Sequence, residues 1–184
     1  GSPPGGESPG PRGEGPLRVL FAGAMTQRKG LADLFHAMKR LRRTDVQLVV
    51  MGPAIAPMEF YRRQYDAFEY KAPRSRERVL ALMAECHVLA LPSIVEGRAL
   101  VQQEAMSRGL PLIATRNAGG EDLIEEGRTG FLVDIRAPGQ IAERIAQLAD
   151  NRALLDAMSQ AARRKAAEYP WQAYAEKISR ELTR

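Results

Sequence analysis

Cysteine is almost absent: Cys86 is the single one in 184 residues, which excludes a disulfide framework. Two histidines accompany it, too few Cys and His ligands for a structural zinc site with its four protein positions. Long apolar runs are missing as well. The run at 88–92, like every other, falls far short of the ~20 residues a membrane-spanning helix needs. No basic segment followed by an apolar one opens the sequence as given, so nothing in it argues for export. A reduced, cytoplasmic setting is the default expectation, peripheral to a membrane at most in a full-length protein. Charge of one sign is not in great excess, with 27 basic against 22 acidic residues and a net charge of +5. That balance favours anionic partners. Yet clusters such as Arg40-Leu41-Arg42-Arg43 and Arg163-Arg164-Lys165 fall at or near helix ends, where cations suit the macrodipole. A nucleic-acid partner is therefore not expected.

What is present is ordinary globular material, 45% apolar and 27% charged, enough for one domain with a core. Residues 1–16 are an exception. They hold eleven Gly or Pro and no aliphatic side chain, so they read as a flexible arm or linker, with the folded domain at 17–184. Short apolar runs at 17–22, 46–51, 88–91, 112–115 and 131–133 read as strands, with a further short extended piece at 68–70. Between and after them, apolar residues at 3.6-residue spacing predict helices. Leu31, Leu34, Phe35, Met38 and Leu41 mark one over 30–43, and others follow at 58–68, 76–85 (capped by Ser75), 99–108, 138–149, 151–168 and 171–182. Apolar strands alternating with helices predict a Rossmann-like, doubly wound parallel sheet of the α/β class with closing C-terminal helices. Ligands of such sheets bind beyond the carboxyl ends of the strands. This points to the loops at 23–30, 52–57, 71–75, 92–98 and 116–122.

Three of these loops carry candidate chemistry. Gly23-Ala-Met-Thr-Gln-Arg28-Lys29-Gly30 leads into a helix start, whose free N–H groups and positive potential, joined by two cations, suit a diphosphate. It is neither a Walker A loop nor a Gly-x-Gly-x-x-Gly fingerprint, and a solvated Arg-Lys pair is the plainer alternative. In the second, Glu96 lies in a loop and Glu104 roughly 8 Å along the following helix. Such a pair can hold hydroxyls at two places on one polar ligand, or be one N-terminal charge and one solvated side chain. The third, Asn117-Ala-Gly-Gly-Glu121, allows close backbone approach or a tight turn.

In combination, Lys29-Gly30, Pro92-Ser93-x-x-Glu96-Gly97 with Glu104 eight positions on, Gly119-Gly120 and Gly127-x-Thr129-Gly130-Phe-Leu-Val resemble the C-terminal, donor-binding half of GT-B glycosyltransferases of the group 1, family 4 type. The resemblance runs over about residues 17–182, including Trp171. It implies a nucleoside-diphosphate sugar as substrate and no metal cofactor. The Lys matching Lys29, with Arg28, neutralises the pyrophosphate. The Glu matching Glu96 contacts the transferred, hexose-type sugar beside the backbone of Gly97, Arg98, Ala99 and Leu100, and the Glu matching Glu104 holds the ribose hydroxyls. Gly23 and Ser93 complete the implied donor site, with Glu96, Arg28 and Lys29 as its catalytic members. No Asp-x-Asp occurs, in keeping with side-chain neutralisation of the phosphates, and retention of configuration is expected.

Departures accompany the match. Ala24 stands where the family commonly has Arg, Glu96-Gly97-Arg98-Ala99 replaces Glu-Gly-Phe-Gly, and His87 replaces an acid before a strand. His87 reads as a helix–strand junction residue. The resemblance implies that acceptors (a glycan, lipid or small molecule) bind a further N-terminal domain. The expectation is an excised donor domain, or one whose other half is a separate polypeptide, inactive alone. A non-catalytic nucleotide-sugar sensor is the alternative. A receiver-type signalling module is disfavoured by the absence of clustered acids after the first strand.

Overall fold

The computed structural model describes residues 15–94, 99–116 and 121–168. The arm at 1–14, the loop at 95–98, the Asn117–Gly120 glycine pair region and the expected helix at 171–182 with Trp171 lie outside the described residues. The chain runs β1 (Leu17–Ala22), α1 (Leu31–Leu41), β2 (Val46–Met51), α2 (Met58–Gln64), β3 (Glu69–Lys71), α3 (Arg76–Glu85), β4 (Val88–Leu91), α4 (Ala99–Ser107), β5 (Leu112–Thr115), β6 (Gly130–Val133), α5 (Pro138–Asp150) and α6 (Arg152–Ala167). The strands form one sheet in the order β3-β2-β1-β4-β5-β6, every pair parallel. This is a doubly wound parallel sheet, as expected. The chain moves outward in one direction through β2 and β3, then crosses back to β4 beside β1. Right-handed crossovers therefore put α1 and α2 on one face and α3 and α4 on the other. Packing agrees, with α5 lying against α1 and α6 against α4.

Both faces of the central strand are covered, since the consecutive residues Val19, Leu20 and Phe21 have no exposed surface. Leu31, Leu34, Phe35 and Met38 of α1 are buried against the sheet as their spacing predicts. Burying a side chain of this size is worth about 1.5–3 kcal/mol. Phe35 stacks on Phe68 at 5.2 Å between ring centroids.

That stack explains a difference from the sequence expectation. The helix expected over 58–68 stops at Gln64, and Tyr65 is extended (φ −159°, ψ 122°). The extended chain delivers Phe68 to Phe35, while Arg62 donates to the carbonyls of Asp66 and Phe68 and lies over the Phe68 ring. The following strand is Glu69–Lys71 instead of 68–70, and it is not apolar. It is the sheet's edge, where charged side chains discourage pairing with another chain. Ser75 occupies the N-cap position of α3, but its side chain makes no capping bond. Asn151 does cap α6, accepting from the Leu154 amide at 3.0 Å.

Candidate functional site

Where the winding reverses, β1 and β4 are neighbours and the loops leaving their carboxyl ends diverge. A crevice forms at that point in such sheets. Its two walls, the loop at 23–30 and the segment at 92–94, are bonded to each other. The Ile94 amide donates to the Arg28 carbonyl at 2.8 Å. Gly30 sits at φ 77°, and a Cβ there would lie 2.0 Å from the Pro92 carbonyl oxygen. Only glycine accepts both the left-handed backbone and this approach.

The first wall is braced from below. Thr26 caps a single 3-10 turn, Gln27–Lys29, which hands over to α1 through Gly30. Met25 donates to the Pro53 carbonyl at 3.0 Å. The Tyr61 hydroxyl donates to the Met25 carbonyl at 2.9 Å and accepts from the Ile55 amide at 3.1 Å. Gly23, at the start of the wall, bonds through its amide to the Met51 carbonyl. This bracing leaves Arg28 exposed and Lys29 half-buried ahead of the α1 N-terminus, two cations beside a helix start of positive potential.

The second wall is fixed from the β5 side. Thr115, itself buried, donates from Oγ1 to the Ser93 carbonyl at 2.6 Å. Ser93 is 1% exposed, and its hydroxyl has no hydrogen-bond partner among the described residues. Beyond it, Glu96, Gly97 and Arg98 lie outside the described residues. Ala99 opens α4 and Leu100, half-buried, follows it. Glu104 is in the second turn, its side chain 15% exposed, with Oε1 3.1 Å from Arg76 Nε. Burial holds this carboxyl above the usual carboxylate range, and the Arg76 charge opposes the shift. Arg76 is the first residue of α3, and helices following parallel strands begin at the carboxyl end of the sheet. Both members of the pair therefore stand on the crevice side.

The described members Gly23, Arg28, Lys29, Ser93, Leu100 and Glu104 thus all fall in segments at this end of the sheet. Sequence reasoning missed three residues that shape them: Tyr61, Thr115 and Arg76. Tyr61 and Arg76 were legible only as helix residues, and Thr115 only as the end of a strand. Two other motif positions are structural. Thr129 bonds Leu123 and Glu125, and a Cβ on Gly130 would lie 2.4 Å from the Leu112 carbonyl. His87 is a buried junction residue whose Nδ1 accepts from the Arg18 amide at 2.9 Å, as expected. Among the described residues, no three His, Cys, Asp or Glu side chains converge on a possible metal position, and no helix is long and apolar enough to cross a membrane.

Comparison with known proteins shows the family and the fold. Residues 8–165 match the family described as "Glycosyl transferases group 1". A D-inositol 3-phosphate glycosyltransferase of Corynebacterium efficiens is 32% identical over 174 residues, which are 88% of this chain and 41% of that protein. The chain thus spans about two-fifths of the length of that relative. Among solved structures, the C-terminal domain of the group 1 family protein LpcC from Francisella tularensis superposes with a TM-score of 0.75 at 19% identity, over 84% of this chain and 86% of that one. HepE from Anabaena, solved with UDP and glucose, gives 0.77 at 20% identity, over 91% of this chain and 48% of that one. The fold is that of a GT-B C-terminal domain. The chain belongs to the group 1 glycosyl transferases.

Proposed function

We propose that this chain is the donor-binding half of a glycosyltransferase that moves a hexose-type sugar from a nucleoside diphosphate to an acceptor, with retention. The observation that carries the reading is the bond between the crevice walls, Ile94 to Arg28 at 2.8 Å. It joins the segment bearing Arg28 and Lys29 to the one leading to Glu96 and Glu104. UDP and glucose in HepE support the same class of ligand here.

The chemistry follows from the charges. As the glycosidic bond to phosphate breaks, the leaving diphosphate gains negative charge. Cations and a helix N-terminus fixed beforehand stabilise that charge without rearranging during the step. Arg28 and Lys29 supply them in this reading, so no metal ion is required. Glu104 accepts from the ribose hydroxyls, and Glu96 with the backbone of Gly97, Arg98 and Ala99 addresses the sugar. The acceptor belongs to the part of the relatives that this chain does not match. Calorimetric titration with UDP, GDP and ADP tests the reading: at least one binds, and silence with all three overturns it.

A further inference from the structure

Glu104 does not stand alone in its site. Its side chain is 15% exposed, and among the described residues the ion pair it makes is with Arg76, whose Nε lies 3.1 Å from Oε1. The two residues come from different helices, α3 and α4, and their meeting is a product of the fold. A carboxylate has about four lone-pair positions, so one oxygen engaged by a guanidinium leaves acceptor capacity for a vicinal diol. An unsupported carboxylate at this burial would be free to turn or to hold a proton, and in either state it is a poorer acceptor for two hydroxyls at once.

We infer that Arg76 is a positioning residue for ribose recognition, its Nε holding Oε1 of Glu104 so that the carboxylate accepts from both ribose hydroxyls of the donor nucleotide. This rests on the donor-site reading above. The direction of the Glu104 shift fits: burial raises its pKa, and the Arg76 charge pulls it back. Arg76 itself is half-exposed, with 55% of its side-chain surface open, so its replacement leaves the core intact. Lysine in its place supplies the charge as a point donor without the planar fork.

The test uses the 184-residue chain with UDP, GDP and ADP, each beside its 2′,3′-dideoxy counterpart, which keeps the base and diphosphate but lacks the diol. The expected result is that Arg76→Ala weakens the tightest-binding ribonucleotide about tenfold, the loss expected for one charge-assisted contact. Its dideoxy counterpart is unchanged. Arg76→Lys recovers most of the loss, and in a Glu104→Gln background Arg76→Ala has no further effect. Equal losses for both nucleotides would mean that Arg76 acts through its field on the diphosphate, and would overturn the proposal. So would an Arg76→Ala variant that binds as well as the parent while Glu104→Gln still weakens the ribonucleotide; the donor site would then stand without this role for Arg76. Failure of the parent chain to bind any nucleotide rejects the donor site and this proposal together.

Discussion

Lys29 and Arg28 differ in setting although they are adjacent. Lys29 is half-buried, its amide turned back to Thr26 within the 3-10 turn, while Arg28 is exposed and gives its carbonyl to Ile94. Neither side chain supports the core, so Lys29→Ala and Arg28→Ala should each weaken nucleoside-diphosphate binding without unfolding the domain. A lost charge-assisted contact costs about 1.5–3 kcal/mol, or about ten- to hundredfold in affinity; isothermal titration measures it. A second residue makes a prediction about stability. Asp33, in the first turn of α1, is 8% exposed, and its Oδ2 has no hydrogen-bond partner among the described residues. Burial pushes its pKa up, against the pull of His36 and Arg136. A carboxyl raised in the folded state binds its proton more tightly there than in the unfolded chain. Its contribution to stability is therefore lost as pH rises from the ordinary carboxylate range through the raised value. Asp33→Asn should remove that dependence and be at least as stable as the parent at neutral pH. Thermal unfolding of both proteins across pH 4–8 reads it; parallel curves would contradict the assignment.

At the scale of elements, the site depends on two loops pressed together, and Gly30 is where they touch. Gly30→Ala places a methyl against the Pro92 carbonyl and forces a left-handed backbone on a residue with a Cβ. The strain alone is worth about 1–3 kcal/mol. Denaturant unfolding should show at least that loss, and nucleotide affinity should fall with it, because the Ile94–Arg28 bond cannot survive the separation. The strands around these loops were legible in the sequence because each is a compact apolar run, and α1 because four of its apolar residues recur on one face. The edge strand was displaced by one residue because Glu69–Lys71 carries charges that no apolar pattern marks. The end of α2 was misread because Phe68 continues the helical spacing, yet its partner Phe35 is reached only by an extended chain. The candidate residues on the loops were legible as motifs, but what holds them was not. Thr115 to Ser93, Tyr61 to Met25 and Arg76 to Glu104 join residues distant in sequence, and nothing in local spacing announces such pairs.

For the molecule as a whole, every candidate residue is assigned to the donor and none to an acceptor. A bimolecular transfer gains much of its rate from holding both reactants in place, which replaces a large entropic cost. Water left in an open site also screens the cations that stabilise the leaving diphosphate. The 184-residue chain should therefore transfer no sugar alone at saturating donor, and gain activity when joined to an acceptor-binding domain. An assay with glycan, lipid and small-molecule acceptors checks this; turnover of about one per second, the low end for enzymes, would show that the donor-binding half suffices. Where the nucleotide binds is read by amide chemical-shift mapping on the isotope-labelled chain. On addition of the nucleoside diphosphate that binds, the largest shifts should fall at residues 28–31, 93–94 and 100–104, with α5 and α6 undisturbed. Shifts confined to α5 and α6, with the loops beyond β1 and β4 unmoved, would contradict it.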